Sequence, residues 1–314
     1  MKQTIFSFVF VGLLAGCNAT APNESKYELQ KLNSIIYNED TRNDVIEDNK
    51  IYDLVQATAV LMESRHLTKS PNGQNWKIQG YKLKDNYPLC KNEKFIDQPA
   101  IGYCTGVLIG PDIVLTAGHC FDKAEDCTTT KLIFGWNLKK SDRDEMPANE
   151  VYNCQSILRR EHKLTEKEVD YSIIKLDRAV TNAIPVRLAH KDDIKAGDSL
   201  LSLSYPLGLP LKKDIAKVIS NKSGDTLFRV EVDTFSGSSG SPLFNTRGEV
   251  VGILSWGMPD LDEDEIHRVQ KDGGCLNFNK CSGEDCFGEH FFKVSEINFD
   301  FSVKTNNILP DGKL

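Results

Sequence analysis

Between Ile101 and Val186 short apolar runs recur, TGVLIG, DIVLTAG, KLIFGW, VYNCQSIL and DYSIIKL, each closed by a polar or glycine-containing turn. Runs this short and this often interrupted read as β-strands, because a buried helix needs a longer stretch to present one apolar face. A second series starts at Ser199 with LLSLSYP, AKVISN, FRVEVDT, GSPLFN and EVVGILSWG, and Thr246-Arg247-Gly248 is a hairpin turn between two of its runs. The simplest arrangement is all-β: two antiparallel barrels, with Pro185 to Asp193 crossing between them. No short-period internal repeat is visible.

Upstream, Asn18 to Lys50 is polar and poor in aromatics, the texture of a tether or short propeptide, with a weak helical stretch around Tyr27 to Ile36. At Ile51 the apolar content rises in DLVQATAVLMES, followed by a turn at Ser70-Pro71-Asn72-Gly73. The expected division is therefore a first barrel over residues 51–187, a second over 188–303, and a loose tail over 304–314. The opening MKQTIFSFVFVGLLAGC has a basic Lys2, a short apolar run and small residues before a cysteine, as export signals do. It is too short for a membrane span. Its end, Leu14-Ala15-Gly16-Cys17, resembles a bacterial lipobox, which implies a signal over residues 1–16 and a mature chain starting at a lipidated Cys17. The alternative is ordinary secretion after a cut near Ala19 or Ala21.

Composition narrows the class. The 314 residues are 40% hydrophobic and 26% charged with net charge -7, ordinary for a globular protein and unsuited to a nucleic-acid partner. Of nine cysteines, setting Cys17 aside for lipid leaves eight, an even set that suits disulfides in an exported chain. Cys90, Cys127, Cys154, Cys275, Cys281 and Cys286 allow fifteen pairings. Cys127 with Cys154 is the natural first choice, since they flank one strand pair.

The run Gly237-Ser238-Ser239-Gly240-Ser241-Pro242 puts a serine on a glycine-flanked turn beside a strand-like run, as a nucleophile is presented. A serine needs a histidine to take its proton and a carboxylate to hold that histidine's tautomer. VLTAGHC carries His119 and VDYSIIKL carries Asp170, so the chain order is His, Asp, Ser. With that order, CTGVLIGPDIVLTAGHC, VDYSIIKL and GSSGSP resemble the chymotrypsin-like serine proteases over roughly Ile51 to Phe301. TAGHC and SGSP are closest to the glutamyl-endopeptidase branch, whereas Ser255-Trp256-Gly257 is closer to the trypsin branch.

The resemblance implies two six-stranded barrels, an exported serine endopeptidase acting on protein or peptide substrates through an acyl-enzyme, no cofactor or metal, and a monomer. It implies His119, Asp170 and Ser239 as the triad, with Asp177 as rival carboxylate, and Gly237 and Ser239 N–H groups as the oxyanion hole. Cys104 and Cys120 match the disulfide that pins the histidine loop. Asp233, six residues before Ser239, corresponds to the acid of a pocket that takes Arg or Lys, bordered by Thr234 and Trp256. A structural carboxylate is the other reading of Asp233, in which case the pocket takes small or apolar side chains. Ser255, Trp256 and Gly257 correspond to the strand that binds substrate backbone. Leu254 stands where glutamyl endopeptidases carry a histidine, which argues against glutamyl specificity. Phe235 and Ser238 replace a pocket cysteine and the aspartate that pairs with a freshly cut amino terminus, so activation by that route is not expected. His66, His162, His190, His267 and His290 lie in polar contexts and read as surface.

Two other classes fit parts of the chain. A non-catalytic binding lipoprotein would keep the same fold. Cys275, Cys281, Cys286 and His290 carry the ligand types of a zinc site, though without the paired Cys-x-x-Cys spacing. The acidic run Asp260 to Glu265 lacks an EF-hand pattern and reads as a solvated insertion.

Overall fold

In the run TAVLME every residue but the last is buried, with no apolar–polar alternation, and the structure shows why. The computed structural model describes residues 39–46, 49–143, 145–165, 167–258, 260, 268–269, 271–281 and 286–299. Within it, Ala59 and Leu61 point into one apolar cluster while Val60 and Met62 point into another. Successive side chains of a strand leave opposite faces. This strand is therefore covered on both sides, by the inside of its own barrel and by the second barrel.

Six strands form the first barrel: β1 (Thr58–Glu63), β2 (Gly102–Gly110), β3 (Ile113–Thr116), β4 (Thr130–Phe134), β5 (Val151–Lys163) and β6 (Val169–Leu176). They pair antiparallel in the order β5-β6-β3-β2-β1-β4, and β4 closes on β5. The second barrel contains β7 (Ser199–Ser204), β8 (Lys212–Ser220), β9 (Leu227–Glu231), β10 (Pro242–Phe244), β11 (Val250–Trp256) and β12 (Glu289–Lys293). Its order is β8-β7-β10-β11-β12-β9, closed by pairing of β8 with β9. The fold is all-β with two closed six-stranded antiparallel barrels, as the sequence predicts. Closure removes the sheet edges on which open β proteins aggregate. The connection between barrels is hydrogen-bonded at both ends, Val186 N–H to Leu108 O and Ala189 N–H to Val250 O.

Four disulfides are present: Cys104–Cys120, Cys127–Cys154, Cys90–Cys275 and Cys281–Cys286. The first two are the pairs read from the sequence. The last two overturn the zinc reading, because a sulfur bonded to sulfur is no thiolate ligand.

Cys17, the signal and tether up to residue 38, the tail, and most of the acidic insertion lie outside the described residues. Part of the segment read as a tether is packed, a difference from expectation. Asn43–Asp44 pairs with the start of β8. Arg42 is 1% exposed, bonded to Asp40 with its guanidinium 3.8 Å from the Phe235 ring centre. Lys212 is buried and donates to Asp44 at 2.8 Å. Local ion pairs let a polar sequence be buried here, which composition alone does not reveal.

Candidate active site

Within the first barrel the turn after β3 faces the start of β6. His119 lies in the short 3-10 turn Gly118–Phe121, and Asp170 is the second residue of β6. Antiparallel pairing of Ser172 with Thr116 brings them together. His119 donates its backbone N–H to Asp170 Oδ1 at 2.9 Å, and His119 Nδ1 lies 2.8 Å from Asp170 Oδ2. The Ser255 hydroxyl donates to the same Oδ2 at 2.7 Å. Asp170 is 2% exposed and His119 30%. Burial pushes the Asp170 carboxyl up, but the bonds and charge of His119, with the Ser255 bond, outweigh it and leave its pKa below the usual value. Asp177 is engaged elsewhere, with Asn153 and Arg178.

Ser239 projects, partly exposed, from the turn between Val232 and β10, whereas Ser238 and Ser241 are buried. The turn is held from behind. Ser238 N–H donates to Phe235 O at 2.8 Å, with Gly237 at φ +90°. Gly240, at φ +80°, lies so close to the first barrel that a Cβ there would come within 2.3 Å of Thr105 O and 2.7 Å of Ala117 N. Thr105 fixes the carbonyls, its hydroxyl donating to Gly237 O at 2.9 Å and its N–H to Ser239 O at 2.8 Å. Both carbonyls thus face inward. Among the described residues the N–H groups of Gly237 and Ser239 have no acceptor, which leaves two adjacent donors beside the Ser239 side chain. No hydrogen bond of 3.5 Å or less joins the Ser239 hydroxyl to the His119 ring. Free enzymes commonly show such a gap before substrate binds.

The end of β11 runs alongside, tied by Gly240 N–H to Leu254 O at 2.8 Å and Leu254 N–H to Ser241 O at 3.0 Å. Trp256 is 43% exposed, stacks on His290 with ring centres 3.6 Å apart, and donates Nε1–H to Glu168 at 2.8 Å. Neither His290 nor His162 is a plain surface residue. The His162 ring centre is 5.8 Å from that of His119. On the other side of the turn a cleft of about 540 Å³ is lined by Arg65, Tyr87, Tyr103, Leu207, Ser236 and Gly237.

Asp233 and Thr234 are drawn to separate partners. The Asp233 carboxylate accepts the Thr41 N–H at 2.8 Å and lies beside Asp214, which accepts the Thr41 hydroxyl at 2.9 Å. Burial, and for Asp233 also the charge of Asp214, raises these carboxyls to about 7 and about 6. The Thr234 hydroxyl donates to Glu289, the first residue of β12. Glu289 and Thr41 carry no motif that marks them in the sequence, and Thr105 lies in CTGVLIG without any role read for it. The bond from Ser255 to Asp170 was equally invisible, since the SWG spelling points only to backbone.

Residues 104–253 match the trypsin-like peptidase domain family. A probable periplasmic serine endoprotease DegP-like from Pseudomonas putida is 28% identical over 192 residues, 54% of this chain and 35% of that protein. Exfoliative toxin A from Staphylococcus aureus is 29% identical over 185 residues, 56% of this chain and 63% of the toxin. The chain therefore spans between about a third and two thirds of the length of these relatives. A solved Glu endopeptidase in complex with MPD covers 82% of this chain, and this chain 93% of it, at 16% identity and TM-score 0.49. The peptidase-domain match and these sequence relatives support a chymotrypsin-like serine protease.

Proposed function

We propose that the protein is an exported serine endopeptidase working through Ser239, His119 and Asp170. The observation that carries this reading is the His119–Asp170 pair set beside a serine turn with two unpaired N–H groups. Ser239 Oγ attacks the substrate carbonyl carbon as its proton passes to His119 Nε2. The carbonyl oxygen, now negative, accepts from the N–H groups of Gly237 and Ser239. His119 then protonates the leaving amine as the C–N bond breaks, and a water deprotonated by His119 releases the acyl group from Ser239. Asp170 accepts from Nδ1–H throughout, which leaves Nε2 free to act as base. Asp170 is a better anchor than a solvated acid, because Ser255 and the His119 backbone keep it ionised and fixed.

Four disulfides support an oxidising compartment. The relative named periplasmic agrees with it. The Leu14-Ala15-Gly16-Cys17 sequence supports a lipid anchor at Cys17. Loss of membrane association in Cys17→Ser tests the anchor, and intact-mass analysis finding an unmodified terminus downstream of Cys17 defeats it.

A binding protein on the same fold is the second reading, favoured by the missing Ser239 to His119 hydrogen bond. One experiment separates the two. A fluorophosphonate probe labels the wild-type chain and not Ser239→Ala if the nucleophile is competent, and a folded wild-type chain that resists the probe defeats the catalytic reading.

A further inference from the structure

Beside the turn that carries the N–H groups of Gly237 and Ser239, Glu289 bridges the segment leading into it, Thr234 to Ser236, and the segment leaving β11, Gly257 to Met258. Its Oε2 accepts from the Thr234 hydroxyl on one side, and its Oε1 accepts from Met258 N–H at 3.4 Å on the other. A Cβ on residue 257 would fall 1.6 Å from Oε2, so glycine there is what lets the carboxylate reach across.

Glu289 is 5% exposed, and among the described residues no cationic side chain pairs with it. Its donors are a hydroxyl and a backbone N–H, both neutral. Burial raises its carboxyl to about 7, and nearby Asp260 pushes the same way. A carboxylate desolvated without a counter-charge gains most from an incoming cation. Asp233 does not offer this, since its carboxylate accepts from Thr41 while its backbone N–H donates to Asp214.

Building on the endopeptidase reading, we propose that Glu289, in place of Asp233, selects a lysine or arginine side chain before the cleaved bond. The basic side chain passes Gly257 and ends on the Glu289 carboxylate, with Thr234 holding that carboxylate in line.

The test uses full-length enzyme, titrated with a fluorophosphonate, on peptides that differ only before the scissile bond: lysine, arginine, norleucine or glutamate. Norleucine keeps the length of lysine and removes its charge. Wild type is expected to favour lysine over norleucine by about thirtyfold in kcat/KM, the scale of a desolvated charge pair. Glu289→Gln is expected to bring that ratio close to one, and Asp233→Asn to retain it. A labelled wild type without the preference overturns the proposal, as does a Glu289→Gln enzyme that keeps it. Calorimetric binding of benzamidine needs no catalysis and no folded variant. Benzamidine that binds wild type supports the cation pocket even if no probe labels Ser239, which is the separate failure of the endopeptidase reading, and benzamidine that does not bind overturns it.

Discussion

Two regions around the Ser239 turn each bury carboxylates, and the two respond to burial in opposite ways. In the cleft between barrels, Asp170 faces a histidine and two further donors, and its pKa is lowered. Behind the turn, Glu289 faces neutral donors with Asp260 nearby, Asp233 and Asp214 face neutral donors and each other, and all three are raised, to between about 6 and about 7. Burial is the largest influence in every case. The partner decides the sign: a site that supplies a cation keeps its acid charged, and one that supplies only neutral donors keeps its acid receptive to a proton or to a cation from outside. The first arrangement suits chemistry that must not lose its charge, the second a pocket that waits for one.

The largest effect that would break this contrast comes from the cleft. His119→Ala and Ser239→Ala are expected to lower kcat by about a millionfold, since members of a triad act as a unit. Asp170→Asn should lower it by about ten-thousandfold by favouring the wrong tautomer. Steady-state kinetics on contaminant-free enzyme checks both, and near wild-type turnover in Asp170→Asn would pass the role to another carboxylate. Next in size is Ser255→Ala, which removes one bond to the charged Asp170. A loss of about tenfold in kcat/KM is expected, the worth of a hydrogen bond to an ionised group. An unchanged rate would leave Ser255 as packing alone.

The smallest effect concerns stability, and it sharpens the contrast by sign. Asp233 and Asp214 have folded pKa values of about 7 and about 6, above those of an unfolded chain. The folded protein therefore holds protons that the unfolded chain has lost. Their contribution is fully present below about pH 4 and is lost as pH rises through 6 to 7. Asp170, lowered when folded, contributes above about pH 4 and loses that contribution as pH falls through its folded value. Asp233→Asn should consequently raise the thermal midpoint at pH 8, relative to wild type, by roughly 2 to 4 °C, with a smaller gain at pH 5. Melting curves at the two pH values check this, and a midpoint lowered more at pH 8 than at pH 5 would reverse the assignment.

What the sequence could disclose followed from how local each feature is. Strand runs, the Thr246-Arg247-Gly248 hairpin and the order of His119, Asp170 and Ser239 are written in contiguous residues, and the barrels and the His119–Asp170 contact followed from them. Asp233 illustrates the limit. Its offset from Ser239 was legible, but its direction was not, because Thr41, 192 residues away, supplies the donor that turns it. Glu289 opens a strand spelled EHFFK with nothing to separate it from a solvated acid. Only the register of β12 against β9 and β11, together with the bare Cα of Gly257, puts its carboxylate beside the turn. The burial of Arg42, within the segment whose composition reads as a tether, is hidden for the same reason, since its ring of aromatic partners comes from distant segments.

The disulfide between Cys90 and Cys275 spans 185 residues and makes nearly the whole of both barrels one covalent loop. A single backbone cut anywhere inside that loop, in the inter-barrel connection for instance, opens the ring without freeing a fragment. Both new ends stay tethered at high effective concentration, each barrel still docked on the other. Damage of that kind would be silent on a non-reducing gel and would show as two pieces only after reduction. In a compartment that also holds proteases, a nicked molecule would remain whole until its disulfides were reduced.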